Sequence, residues 1–214
     1  SDSFYGQIPT ILKINSSNTL ATTLDQAVTG SIDDALKLGC AAIGFTIYPG
    51  SDHNFSLMEE YRELSHEAKA KGLAVVLWAY ARGANISKKG ETAMNIISYA
   101  AHMSALLGAN IIKVKLPSDF LEEDPTKAAF ENNKIAMSTL QERVTHIKKV
   151  AFEGKRLVVF SGGDAKDDSA LMEEIKAIHF GGGNGSIIGR NCFQRTREDS
   201  LALLDQMIQI YKSK

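Results

Sequence analysis

Lys113 and Lys115 lie two residues apart inside the apolar run Ile111–Leu116. A short, β-branched run of this kind reads as a buried strand. Side chains alternate along a strand, so both lysines point to one face, about 6.6 Å apart along the chain. Lysine is seldom buried without a reason. Two ammonium groups on one buried face repel, and loss of hydration adds to the repulsion. Both effects favour the neutral amine. A neutral lysine amine attacks carbonyl carbon, which is how a Schiff base begins. The competing reading is an edge strand whose lysines face water and discourage aggregation. These six residues alone do not separate the two.

Other strand ends carry residues that could serve such chemistry. In Trp78-Ala79-Tyr80-Ala81-Arg82-Gly83, Trp78 and Tyr80 alternate onto one face. A tyrosine at a strand terminus can move protons if its hydroxyl reaches a substrate, or it can be a core aromatic with a satisfied hydroxyl. Ser161-Gly162-Gly163-Asp164 and Gly189-Arg190-Asn191 follow the last two apolar runs. Glycines let backbone N–H groups approach an anion, and Arg190 could add a charge-assisted contact. Each loop could also be an ordinary turn. Lys13, in Ile11-Leu12-Lys13-Ile14-Asn15, is a third strand lysine, and inward lysines would suit a substrate with anionic phosphates. Spacing allows it equally to be an edge residue. The glycine-rich Gly181–Gly185 precedes its strand and reads as a helix-to-strand connection.

The elements that must position these residues alternate in type. Strands are expected at Ile8–Ile14, Ala41–Ile47, Ala74–Tyr80, Ile111–Leu116, Leu157–Phe160 and Ser186–Ile188. They are near-continuously apolar, as in a parallel sheet. Between them lie helical patterns: one opening on Ser31-x-x-Asp34 and stopped by Gly39, then Phe55–Lys71, Glu91–Leu107, Glu131–Phe152, Asp168–Ile178 and Thr196–Lys212. Pro117–Lys134 reads as a long polar loop with an acidic tract at Glu122–Asp124. Repeated β-α units imply an α/β fold with a parallel sheet, open or closed as a barrel. In either case ligands bind at the carboxyl ends of the strands.

With 214 residues, 44% hydrophobic and 23% charged, the chain is long enough for one domain with a substantial core. A net charge of −1 with mixed signs gives no reason to expect a nucleic-acid or membrane partner. Cys40 and Cys192 carry no motif spacing, which suits a reduced, cytoplasmic protein. The histidines are scattered without metal-ligand spacing, so neither a metal nor another cofactor is expected.

Taken in order, the segments Ile11–Asn15, Gly44–Ser51, Trp78–Gly83, Gly108–Lys115, Ser161–Gly163 and Ile188–Asn191 resemble the archaeal-type, DhnA-like class I fructose-1,6-bisphosphate aldolases. The resemblance covers almost the whole chain. It implies a (β/α)8 TIM barrel without metal, acting on a phosphosugar in glycolysis and gluconeogenesis, and a homo-oligomer. It places the Schiff-base lysine on Lys113 and the proton-transfer tyrosine on Tyr80; Lys115, on the same strand face, is expected to help keep Lys113 neutral. Trp78, Ser161, Gly162, Gly163, Gly189 and Arg190 are the implied substrate contacts, and Lys13 is added to them as an inward strand lysine suited to a phosphate. Ala81 stands where the family usually has proline, which changes loop stiffness more than chemistry. The family also has two β-α units before the segment matching Ile8–Ile14, the first strand ending in an Asp-His pair. Residues 1–10 supply neither, so six eighths of a barrel are expected here, completed by a missing N-terminal segment. A related aldolase or transaldol-type enzyme on another phosphorylated ketose, or a non-catalytic partner subunit, are the alternatives.

Overall fold

The computed structural model describes residues 6–161 and 167–213. Its elements in chain order are β1 (Ile11–Lys13), β2 (Asn15–Ser16), β3 (Ala27–Val28), α1 (Ile32–Lys37), β4 (Ala42–Ile47), α2 (Asn54–Ala70), β5 (Ala74–Ala79), α3 (Met94–Leu106), β6 (Ile111–Lys115), α4 (Asp124–Asn132), α5 (Leu140–Val150), β7 (Leu157–Ser161), α6 (Asp168–Phe180), β8 (Gly185–Ile187), α7 (Arg190–Phe193) and α8 (Arg197–Lys212). A six-stranded parallel sheet runs in the order β1-β4-β5-β6-β7-β8, so each main strand lies beside the next in sequence. This is the staggered half of a barrel, with β1 and β8 as its edges. β2 and β3 form a separate antiparallel ribbon beside β1, which the hydropathy pattern did not announce. No helix among the described residues is long and apolar enough to cross a membrane.

One face of the sheet carries Ile43, Phe45, Val75, Leu77, Ile112, Val114, Val158 and Phe160, all buried in the main core. The helices cover that face: Tyr61 of α2 packs its ring 5.7 Å from Phe45, and Tyr211 of α8 bonds Ser186 at 2.6 Å. Register puts Lys13, Gly44, Thr46, Trp78, Lys113, Lys115 and Ser161 on the other face. Gly44 has a packing reason. A Cβ there would fall inside the Trp78 ring, so the glycine makes room for the indole.

Three expectations need correction. Glu131–Phe152 is not one helix: α4 ends at Asn132, and α5 starts after Thr139. Thr139 and Glu142 form a reciprocal capping box, which starts a helix firmly at that point. The acidic tract is not a plain loop, because Pro125 opens α4 at its first turn. Similarly, Glu91 is not in α3. It lies in a 3-10 turn, Gly90–Thr92, and α3 begins after an extended Ala93. The Met94 N–H donates to Phe120 C=O at 2.8 Å, which ties the helix start to the neighbouring loop.

Candidate active site

Strand alternation delivers Lys113, Lys115 and Tyr80 to the carboxyl end of the sheet. There they line a cleft of about 840 Å³ together with Arg82, Ser161, Gly189 and Arg190. That volume falls in the range of small-molecule sites. Lys113 is 6% exposed. Its Nζ touches the Tyr80 hydroxyl and lies 4.7 Å from the centre of that ring. Burial pushes the Lys113 amine down to about 8. Burial also pushes the Tyr80 phenol up, partly opposed by Arg82, whose guanidinium stands 5.8 Å over the ring. The pair is therefore an amine that sheds its proton readily beside a phenol that keeps its own.

Lys115 plays a different part from the one its spacing suggested. Its ammonium is ion-paired to Glu91 Oε2 at 2.6 Å. Lys88 reaches Glu91 Oε1 at 3.1 Å, and Arg82 Nε lies 4.0 Å from Oε2. Burial works to raise the Glu91 carboxyl, but the bonds from Lys115 and Lys88 outweigh it and hold it below the usual carboxylate range. So the cause of the shift at Lys113 is desolvation, not repulsion between two bare ammonium groups.

The other expected residues divide. Ser161 and Arg190 line the cleft with Gly189, which precedes the short helix α7. Gly162 and Gly163 lie outside the described residues. Trp78 pairs with Lys113 in register but leans over Gly44. Lys13 is on the exposed edge strand, where its Nζ meets Asn15 C=O and Gln26 Oε1, the latter at 2.8 Å. The structure does not bring Lys13 into the cleft with Lys113. Sequence reasoning missed Glu91 and gave Arg82 no role. Arg82 was legible, because positions 78, 80 and 82 share a parity at a strand end. Glu91 was not: an acidic residue near a helix start usually only faces the helix dipole.

Residues 2–195 match the DeoC/LacD family of aldolases. The chain belongs to that family. It is 31% identical to the class 1 fructose-bisphosphate aldolase of Thermoproteus tenax over 89% of this chain and 64% of that protein. It is also 31% identical to the Halobacterium salinarum enzyme of the same name over 95% of this chain and 67% of that one. The chain thus spans about two thirds of the length of these relatives. A solved archaeal fructose-1,6-bisphosphate aldolase, with its catalytic lysine covalently bound to the carbinolamine intermediate of the substrate, superposes with a TM-score of 0.81. It is 28% identical, over 99% of this chain and 75% of that structure. The parallel half-barrel described above is thus similar to the sheet of archaeal aldolases.

Proposed function

We propose that the chain carries the Schiff-base centre of a class I aldolase that reversibly cleaves fructose 1,6-bisphosphate to dihydroxyacetone phosphate and glyceraldehyde 3-phosphate. The observation that carries this reading is the buried Lys113 amine, lowered to about 8, against the Tyr80 hydroxyl. Neutral Lys113 adds to the C2 ketone and forms a carbinolamine. Tyr80, kept protonated by burial, gives its proton to the departing C2 hydroxyl, which leaves as water. The protonated imine then withdraws electrons from C3. The Tyr80 phenolate takes the proton of the C4 hydroxyl as the C3–C4 bond breaks, releasing the aldehyde and leaving an enamine. Protonation of the enamine at C3 and hydrolysis free the second product and Lys113. Arg190, the N–H groups near Gly189 and the loop after Ser161 hold a phosphate, which places C2 against the amine.

We further infer that the six strands are the greater part of a (β/α)8 barrel. Ile11 and Ile187 on the edge strands are 44% and 37% exposed, and closure would cover them. The free Cys40 and Cys192 suit a reducing, cytoplasmic setting.

The test pairs a cleavage assay on fructose 1,6-bisphosphate with borohydride trapping in dihydroxyacetone phosphate. Peptide mapping should find the adduct on Lys113. An adduct on Lys115, or none in a preparation that cleaves the sugar, would falsify the assignment. Activity should survive exhaustive chelation, because the imine already supplies the electron sink.

A further inference from the structure

Four charged groups crowd one side of the cleft, and only one of them is acidic. Lys115, Lys88 and Arg82 converge on Glu91. The Glu91 side chain is 14% exposed and Lys115 is 24% exposed, so solvent screens their pairing only in part. The acid is held in place from behind. Ser87 donates its N–H and its hydroxyl to Glu122, at 2.7 and 2.9 Å. A Cβ on Gly90 would collide with that same carboxylate, so only glycine lets the turn sit this close. The Ser118 N–H donates to Thr92 C=O at 2.7 Å, joining the loops after β5 and β6. The turn that carries Glu91 is thus clamped against the loop that follows the two lysines.

We propose that Glu91 is a positioning residue of the site: it pins the Lys115 ammonium and cancels its charge beside Lys113. This inference deepens the aldolase reading and rests on Lys113 as the reacting group. Among the described residues, the charged or titratable groups around Lys113 are Tyr80 and Arg82 from the end of β5, and Lys115 from β6. Glu91 and Lys88 line the same cleft from the turn, Arg143 from α5, Glu174 from α6 and Arg190 from α7. Arg143 is committed to the Pro117 and Met137 carbonyls at 2.9 and 2.8 Å. Glu91 is the acid bonded directly to the lysine that shares the strand face with Lys113.

Competitive acetylation with acetic anhydride across pH, read by peptide mass spectrometry, reports where the Lys113 amine becomes neutral, whether or not substrate turns over. Glu91→Gln leaves three cations without their shared carboxylate, and the Lys113 midpoint should fall by about 0.5–1 pH unit. Lys115→Met removes a cation and leaves Glu91 less compensated, so the midpoint should rise. The rise should be smaller, because Lys88 and Arg82 still face Glu91. The double variant should return toward the parent value. Opposite signs of this kind are not expected of a residue that only supports the turn. No shift in folded Glu91→Gln, or shifts of the same sign, would overturn the proposal. If Glu91→Gln does not fold, Lys115→Met decides alone, and an unchanged or lowered midpoint refutes it. Borohydride labelling of the parent protein with dihydroxyacetone phosphate keeps the two readings apart. Absence of labelling overturns the aldolase chemistry. Labelling with unmoved midpoints overturns only the role of Glu91.

Discussion

Lys13 on β1 and Lys113 on β6 stand on the same face of one sheet, and burial lowers the proton affinity of both amines. Their surroundings differ. Lys13 is anchored by three acceptors, Asn15 C=O, Asn15 Oδ1 and Gln26 Oε1. Gln26 goes on to donate to the Tyr48 hydroxyl at 2.7 Å, and Asn15 holds the Thr46 backbone at 2.8 and 2.9 Å. Lys113 has a single hydrogen-bond partner among the described residues, the Tyr80 hydroxyl, in a more enclosed position. Three acceptors stabilise an ammonium more than one phenol beside a buried amine does. The same kind of strand lysine is thus tied down where the fold supplies acceptors and left with a lone phenol where it withholds them.

Substituting each lysine in turn tests that contrast most severely. Lys113→Met should remove cleavage by on the order of 10,000-fold or more, the scale of losing a covalent nucleophile. Lys13→Met should instead lower stability, by about 1 kcal/mol, for the hydrogen bonds it strands, read as a drop in the denaturation midpoint. If Lys13→Met abolished borohydride labelling as fully as Lys113→Met, the two lysines would belong to one site and the contrast would fail.

The next largest effect falls on the partner of Lys113. Tyr80→Phe keeps the ring and removes the proton, so turnover should fall by about 100-fold to 10,000-fold. Labelling of Lys113 should still occur, because the nucleophile is intact, but more slowly, because Tyr80 also protonates the departing C2 hydroxyl. Normal turnover would make Tyr80 a structural aromatic.

The pH dependence sharpens the comparison further. Because the Lys113 amine is lowered to about 8, its neutral fraction should rise about tenfold per pH unit below that value and level off above it. Labelling of Lys113 should follow this curve under saturating probe. A midpoint near 10.5, the ordinary lysine value, would mean the amine is not desolvated in solution.

The smallest effect belongs to the brace. Asn15 is fully buried, and Asn15→Ala would strand the Thr46 N–H and C=O. A loss of about 1–3 kcal/mol is expected, seen in chemical denaturation, with the Lys113 midpoint unmoved. A moved midpoint would couple the two ends of the sheet.

Much of this was open to reading in the chain itself. The six main strands could be placed because apolar β-branched runs alternate with amphipathic ones, and alternation alone put Lys113 and Lys115 on one face; the register of β6 against β7 adds Ser161 to it. Trp78, Tyr80 and Arg82 share one parity in the same way. Local chemistry also declared the Ser31 cap. The Thr139-x-x-Glu142 capping box is a local pattern of the same kind. What no local pattern could supply was which charges meet. Glu91 is 24 residues from Lys115, and it reaches the site only because Glu122 clamps the turn and Phe120 captures the first N–H of α3. Nor could spacing tell Lys13 from Lys113, since acceptors come to Lys13 from a β2–β3 ribbon too short to read. Strand identity and side-chain parity are properties of neighbouring residues, and the sequence determines them by itself. Burial, acceptor count and charge pairing are sums over elements distant in the chain, and only the tertiary structure decides them.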